Sequence, residues 1–283
     1  MTALTDQLAT RLQAGTLIPY LGPDMLSLCE DSQVPAQPLT LVEKLTAKVS
    51  VPHKIRKRLT QAAQFIENFK HRKSLVQFMD EAYAATPTPS GLHRALAACG
   101  TRLWVDTWYD GTLAAAVAEA RPGGDWLRLQ GLAQSEHFGT WIGGYAADGS
   151  ALAELPASCE PRPVLYQPIG SRYPASNYLI SDSDYVEVLT EIDIQTPIPA
   201  AVQAWRSGRG FLFIGCRFDD QLTRSFARQI MKRSGGPHWA VLPAEPTRME
   251  LRFLEEQGIT RIDLSLPEFA AQLVAALPAA QPA

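Results

Sequence analysis

Apolar and polar residues follow one another along this chain in a pattern that predicts strands separated by helices. Residues 5–14 place Leu8 and Leu12 on one helical face, and Gly15 follows as a C-cap. The apolar run 17–21 predicts a first strand that ends in a glycine turn. Later strand-like runs lie at residues 103–107, 138–142, 164–168, 211–216, 238–242 and 260–264. Strands that alternate with helices predict an α/β fold, in which helices cover both faces of a parallel sheet.

A helical pattern occupies most of the chain between the first two predicted strands. Its apolar residues recur at intervals of three and four: Ile55, Leu59, Ala62, Ile66 and Phe69, then Leu75, Phe78, Met79 and Ala82. Ser74 and Gln77 predict a capping box that restarts the helix after residues 71–73. We therefore predict a single domain over residues 1–283, with a helical insert over about residues 39–100.

Several ends of elements can be assigned from local signals. Capping boxes are predicted at Thr247 with Glu250 and at Ser265 with Glu268, and Asp110 is a candidate cap for a helix over residues 112–120. The polar, proline-containing stretch 27–38 is a candidate lid over a crevice. Residues 278–283 are expected to form a frayed tail.

Composition argues against nucleic-acid and membrane partners and favours a cytoplasmic location. The chain has 26 basic and 29 acidic residues, so its net charge of −3 gives no global attraction to nucleic acid or to an anionic membrane. Its sequence shows neither an apolar run of about 20 residues nor the apolar core of a signal peptide. The four cysteines form no Cys-x-x-Cys pair, so we expect a reduced, cytoplasmic protein without a metal.

The predicted insert is locally basic. Its basic residues are Lys54, Arg56, Lys57, Arg58, Lys70, Arg72 and Lys73. Such a set can bind an acidic partner or nucleic acid, although a charged helix face is more often simply solvated. We therefore expect a protein partner, with the insert as its candidate surface, and do not expect a nucleic-acid or membrane partner.

Four short patterns carry a family resemblance. They are Leu17-Ile-Pro-Tyr-Leu-Gly-Pro-Asp-Met25; residues 93–97 with Trp104-Val-Asp-Thr-Trp-Tyr-Asp110; Tyr166-Gln-Pro-Ile-Gly-Ser171 with residues 178–185; and Phe211-Leu-Phe-Ile-Gly-Cys-Arg-Phe-Asp-Asp220. In this order and spacing the chain resembles the SIR2-like domain family, which is related to sirtuins and includes bacterial NAD-consuming defence proteins. The resemblance implies a Rossmann-like sheet with an inserted helical module and a crevice of the NAD type.

The resemblance also implies which residues would line a site for NAD or ADP-ribose. These are Gly22, Pro23, Asp24, Met25, Thr107, Trp108, Tyr109, Asp110, Gly170, Ser171, Gly215, Cys216, Arg217 and Asp220. In the family, backbone amides of the first loop cradle the phosphates. Many of its members self-assemble, which makes a homo-oligomer the expectation.

The chain departs from the family where the chemistry should occur. Trp108 and Ile169 stand at the positions of the family's Asn and His, and neither side chain can act as a base or polarise a water. Pro23 lacks an N–H, and Asp24 adds a carboxylate where a pyrophosphate would lie. Arg217, by contrast, could hold a phosphate or a carboxylate. We therefore expect no catalytic residue at the family positions.

Three hypotheses follow from these departures. The first is a SIR2-like protein with lost or very weak catalysis that senses a nucleotide or binds a partner. The second is an active NAD glycohydrolase or ADP-ribosyl-processing enzyme that uses other residues, such as Asp24, Tyr109, Asp110 or His137. The third is a ligand-free scaffold that binds another protein. If Arg217 holds a ligand anion, Arg217→Ala should leave the stability of the ligand-free protein nearly unchanged.

Overall fold

A computed structural model describes residues 2–191, 198–242 and 245–277, so the predicted tail at residues 278–283 lies outside the described part. The strands of the main sheet are β1 (Leu17–Leu21), β2 (Leu103–Asp106), β3 (Leu127–Gly131), β4 (Ile142–Ala146), β5 (Val164–Gln167), β8 (Gly210–Ile214), β9 (His238–Val241) and β10 (Ile259–Ile262); β6 (Gly170–Ser171) and β7 (Asn177–Tyr178) form a separate antiparallel pair. The main sheet has the order β10-β9-β8-β1-β2-β5-β3-β4, and its neighbouring strands are parallel except for β3 and β4.

Helices cover the sheet on both faces. They are α1 (Thr2–Gln13), α2 (Pro38–Lys48), α3 (Leu59–Ala82), α4 (Gly91–Ala98), α5 (Thr112–Ala120), α6 (Asp182–Glu191), α7 (Ala200–Arg206), α8 (Gln221–Met231), α9 (Arg248–Gln257) and α10 (Leu266–Ala276), with a 3₁₀ helix at Pro23–Leu28. Because β1 is buried on both faces, its sequence is continuously apolar. Leu17 and Leu21 face the core formed with α1, α4, α5 and α10, whereas Ile18 and Tyr20 face the core beneath α2 and α3. The predicted α/β fold with a Rossmann-like sheet is confirmed.

In the main sheet one predicted strand is wrong, and β3 was not predicted; the short strands β6 and β7 were not predicted either. Phe138, which begins the predicted strand 138–142, is 96% exposed, and the chain reaches the sheet only at Ile142. β3 is fully buried although Arg128 and Gln130 alternate with its leucines. Both polar side chains donate to backbone carbonyls of the segment 171–177, which covers this face of β3. The sequence alone does not show that this segment satisfies them.

The helix break in α3 also differs from the prediction. The capping box expected at Ser74 does not begin a helix; instead His71 takes φ 67° and ψ 156° inside α3, and Gln77 donates to Glu81 in the following turn. The kink brings the Arg72 guanidinium to Asp184 of α6, with Nη1 2.9 Å from Oδ2. α3 is thereby joined to α6 by a largely buried ion pair.

Candidate functional site

The sheet places the candidate crevice at β1. This strand pairs in parallel with β2 on one side and with β8 on the other. In open α/β sheets, ligands bind outside the carboxyl ends of the strands where the strand order diverges in this way. The segments that follow β1, β2, β5 and β8 carry all the predicted cofactor-binding residues, with Gly170 and Ser171 in the short strand β6.

The loop after β1 has no free backbone donor at the four predicted positions. The N–H of Gly22 donates to the last carbonyl of β8 at 2.9 Å, that of Asp24 to Gly215 O at 3.0 Å, and that of Met25 to Gly22 O at 3.2 Å. Pro23 has no N–H. A phosphate cradle needs several backbone N–H groups that point at the ligand. Here those of residues 22–25 are used within the protein.

Gly22 and Gly215 allow the loops after β1 and β8 to pack closely. A Cβ on Gly22 would lie 2.4 Å from Gly215 O, and one on Gly215, where φ is +68°, would lie 2.6 Å from Met25 N. The Cys216 thiol is buried against the Tyr20 carbonyl, with 3.7 Å between Sγ and O, and burial raises its pKa well above the ordinary value. The loops after β1 and β8 are therefore in direct contact.

Asp24 ties the 3₁₀ helix to the start of α2. Its Oδ1 accepts a hydrogen bond from Gln37 Nε2 at 3.2 Å. Burial raises the pKa of Asp24, and the Gln37 hydrogen bond and the nearby Arg217 partly oppose that rise. Asp24 thus has a structural partner and adds negative charge beside the loop.

The segment predicted as a lid is packed into the core. The Pro35 carbonyl accepts hydrogen bonds from Trp108 Nε1 at 2.8 Å and from the Tyr83 hydroxyl at 3.2 Å. Cys29 and Val34 of the same segment are buried. The stretch 27–38 is therefore held in place by hydrogen bonds to the Pro35 carbonyl and by burial of the Cys29 and Val34 side chains.

An aromatic cluster fills the space after β2. Trp108 is 5% exposed, and its ring lies 5.0 Å from that of Tyr109, centroid to centroid. The Tyr109 hydroxyl donates to Leu179 O at 2.7 Å, and burial raises its pKa well above 10. Tyr83 and Tyr178 complete the cluster. These rings lie where the family resemblance places the reacting Asn.

The remaining polar residues after β2 have structural partners as well. Thr107 donates both its N–H and its Oγ1 hydroxyl to the Leu21 carbonyl, at 2.9 and 2.8 Å. Asp110 Oδ1 accepts from the Thr112 N–H at 2.8 Å, but the N-cap of α5 is Gly111, so the predicted cap lies one residue too early. Burial raises the pKa of Asp110.

A buried polar row beneath this loop was not predicted from the sequence. Asp106 of β2 lies beside Gln167 of β5, with 3.4 Å between Oδ2 and Nε2, and Ser171 Oγ lies 3.3 Å from Gln167 Oε1. Burial raises the pKa of Asp106 well above the ordinary value. The available signal was a polar residue at the end of each of two adjacent strands.

The residues after β5 are enclosed too. Ile169, at the family His position, is 5% exposed. Gly170 has φ +83°, and a Cβ there would lie 2.1 Å from Asn177 O. Ser171 donates its hydroxyl to Tyr173 O at 2.8 Å. β6 and β7 are therefore packed too closely for a side chain at Gly170.

Arg217 binds a carboxylate of the protein itself. Its Nε and Nη2 donate to the two carboxylate oxygens of Glu250 at 2.8 and 2.9 Å. Glu250 is inaccessible to solvent; burial raises its pKa, but hydrogen bonds from Arg217 and from the backbone N–H groups of Thr247 and Phe218 outweigh this and lower it to about 2. Asp220 Oδ1 caps α8 by accepting from the Leu222 N–H at 2.6 Å.

The histidines provide no base inside the crevice. His137 is exposed in the turn that follows β3. His93 is buried with Nδ1 2.7 Å from Ser90 Oγ, and burial lowers its pKa to about 4. His238 Nδ1 accepts from the Phe211 N–H at 3.0 Å.

One small apolar cavity lies nearby. Its volume is about 10 Å³, and it is lined by residues that include Tyr166, Leu179 and Phe226. That volume holds about one water molecule, whereas a ligand pocket usually measures roughly 300–1,000 Å³. Within the described ranges no three His, Cys, Asp or Glu residues are grouped to hold a metal, and none of the described helices is long and apolar enough to cross a membrane.

The residues present do not fit a dinucleotide in this arrangement. The N–H groups at positions 22–25 have protein acceptors, Arg217 is engaged by Glu250, and Trp108 is packed under Pro35. NAD would therefore need both the loop after β1 and the segment 27–38 to move. The assignment of the cofactor-binding residues stays a prediction.

A comparison with protein families gives a match to the SIR2-like domain over residues 102–262, from the start of β2 to the end of β10. Two of the four sequence patterns lie wholly inside this range, and the second lies inside it only from Trp104 to Asp110. β1, its loop and helices α2 to α4 lie before it. A search of curated proteins finds no match. SIR2-like domains in general bind NAD-related ligands. Because the match covers more than half of the chain and the sheet agrees with it, this protein belongs to the SIR2-like domain family.

Proposed function

We propose that this chain is a SIR2-like protein that does not turn over NAD and that acts as a binding module for a protein partner. The observation that carries the proposal is the closed loop after β1, in which the Gly22, Asp24 and Met25 N–H groups donate to carbonyls of the protein. In this domain the family fold is kept, but side chains and loops fill the crevice where a ligand would bind. Such a domain can still act by binding a partner through its exposed surface.

The reactive positions support the loss of turnover. Trp108 and Ile169 have no group that accepts a proton, and both are buried. The alternative residues do not replace them, because Asp24, Tyr109 and Asp110 are each hydrogen-bonded within the fold. His137 lies on an exposed turn.

Between nucleotide sensing and partner binding, the geometry favours partner binding. Sensing NAD or ADP-ribose would first require the hydrogen bonds of Trp108 and Tyr83 to Pro35, and those of the loop after β1, to break. Each costs roughly 1–3 kcal/mol when a buried group loses its partner. Partner binding by the helical insert, and assembly into a homo-oligomer, require no such rearrangement. The buried, free cysteines support a cytoplasmic location.

An assay of nicotinamide release by the purified full chain tests the proposal. The expected result is release no faster than in a protein-free control at saturating NAD, because Trp108 and Ile169 carry no basic group and the Asp24 and Asp110 carboxylates are hydrogen-bonded within the fold. Release that depends on the protein concentration, and that is lost in Asp110→Asn or His137→Ala, would instead establish the second hypothesis of an active enzyme with unusual residues.

A further inference from the structure

The turn between α2 and α3, residues 53–58, holds four cations side by side. They are Lys54, Arg56, Lys57 and Arg58, and all four side chains are exposed. His53 precedes them and is exposed as well. We call residues 53–58 the basic turn.

The basic turn has no ion-pair or hydrogen-bond partner for its cationic side chains in the described part of the chain. Two carboxylates of the insert pair with other cations, Glu67 with Arg72 and Glu81 with Lys48, and Glu43 of α2 is not paired with any cation of the basic turn. From residue 53 to residue 73 the chain has seven Lys and Arg residues and one acidic residue, although its net charge as a whole is −3. The positive charge is therefore local and uncompensated.

The basic turn is also held in one shape. Its Ile55 packs against the core beside buried Val51, and its backbone closes through Ile55 N–H to Pro52 O at 3.1 Å and Arg58 N–H to Ile55 O at 2.8 Å. Burial of the apolar residues at this turn fixes the backbone that carries the cations. Cations presented on a fixed backbone lose less conformational entropy on binding than those on a flexible tail.

We propose that the basic turn binds an acidic segment of a partner protein, a proposal that rests on the protein-binding function proposed above and names the chemistry of that partner. Arg56 and Arg58 can each hold a carboxylate through two parallel hydrogen bonds, and Lys54 and Lys57 add point charges. The occupant is a run of Asp or Glu residues, since the charge is positive, compact and without an acidic partner in the described protein.

The same observations disfavour nucleic acid as the occupant. Single-stranded nucleic acid is bound by a long basic groove with aromatic side chains on which bases stack. Residues 51–58 include no aromatic side chain other than His53, and the basic turn covers only a few residues. The overall negative charge also gives no long-range attraction to a duplex.

The test measures fluorescence anisotropy of a labelled, short polyglutamate peptide titrated with the full chain. One variant combines Lys54→Gln, Arg56→Gln and Lys57→Gln and leaves Arg58, the residue before α3, in place. The matched control combines Arg162→Gln, Arg228→Gln and Arg248→Gln, which also removes three exposed cations that have no ion-pair partner within the described residues. Both variants carry the same net charge.

The expected result is saturable peptide binding that is weakened about tenfold in the basic-turn variant and remains within about twofold of the parent in the control. Equal weakening in both variants would show non-specific charge attraction and overturn the proposal, as would no binding of the peptide. Tighter binding of an oligonucleotide of equal charge, lost in the same variant, would assign the basic turn to nucleic acid. Because this readout does not involve NAD, its failure is separate from any detection of NAD turnover.

Discussion

At the scale of single residues, the pair Arg217 and Glu250 shows that a residue expected to hold a ligand makes a structural ion pair instead. Sequence comparison places Arg217 where a nucleotide could be held, yet both of its forked N–H groups bind Glu250. Glu250 was predicted only as the capping residue of α9, and that capping box is present. A capping signal is local, whereas the contact to Arg217 joins residues 33 positions apart, so the sequence could not show it.

The pair predicts that Arg217→Ala destabilises the ligand-free protein by about 2 kcal/mol. The substitution leaves Glu250 buried without its charged partner, although two backbone N–H groups remain, and the loss is reduced because Arg217 is partly exposed to solvent. Urea unfolding at pH 7 measures the change. A stability equal to that of the parent would restore the expectation that Arg217 is free to hold a ligand anion.

Glu250 also predicts a specific dependence of stability on pH. Its pKa is about 2 in the folded protein against an ordinary value of 4.5, so its contribution is fully present above pH 4.5 and is lost as the pH falls towards 2. Glu250→Gln should therefore be less stable than the parent at pH 7, with the difference shrinking between pH 4.5 and pH 2. A constant difference over that range would contradict the assignment.

Restoring the family residues should not restore turnover. Trp108→Asn combined with Ile169→His supplies the two reactive groups but leaves the loop after β1 closed. We expect no nicotinamide release, and a loss of roughly 3 kcal/mol or more because a buried Trp and its bond to Pro35 are removed. Release by a variant that still shows the parent's far-UV circular dichroism would mean that these two positions alone block catalysis.

At the scale of elements, strands with continuous apolar sequence could be predicted, and elements that depend on distant partners could not. β1 and β8 are apolar on both faces, so a continuous apolar run was sufficient to find them. β3 could not be predicted because its polar residues Arg128 and Gln130 are buried by the distant segment 171–177. The position of the kink in α3 could not be predicted because His71, a non-glycine residue, adopts a conformation that sequence signals do not indicate.

The kink predicts that His71→Gly stabilises the protein. A side chain at φ 67° and ψ 156° is strained, which costs roughly 1–3 kcal/mol, and glycine removes most of that cost. The expected gain is about 1 kcal/mol by urea unfolding. The matched control is His53→Gly, an exposed histidine outside the left-handed region, which should be neutral or slightly destabilising.

A loss of stability in His71→Gly as large as that in the control would argue against the strained kink. His71→Ala serves as the second test, because alanine keeps a Cβ and should not reproduce the gain. Both substitutions leave the ion pair of Arg72 with Asp184 in place, so a change in stability reports on the backbone.

At the scale of the whole molecule, the fold followed from the pattern of strands and helices, and the family followed from short motifs at the carboxyl ends of the strands. The sequence did not indicate that the crevice is closed. Gly22 and Gly215 match the family's glycines in sequence but are packed against each other's loop. The same residue types can cradle a phosphate or bring two loops together, and only the three-dimensional contacts distinguish these uses.

The most direct measurement of the closed crevice is calorimetric titration of the full chain with NAD and, separately, with ADP-ribose. We expect no saturable heat for either ligand, because the backbone donors at residues 22–25 and the Arg217 guanidinium are already bonded within the protein. Saturable binding of ADP-ribose would contradict it, and would show that the loop after β1 and the segment 27–38 open to admit a nucleotide.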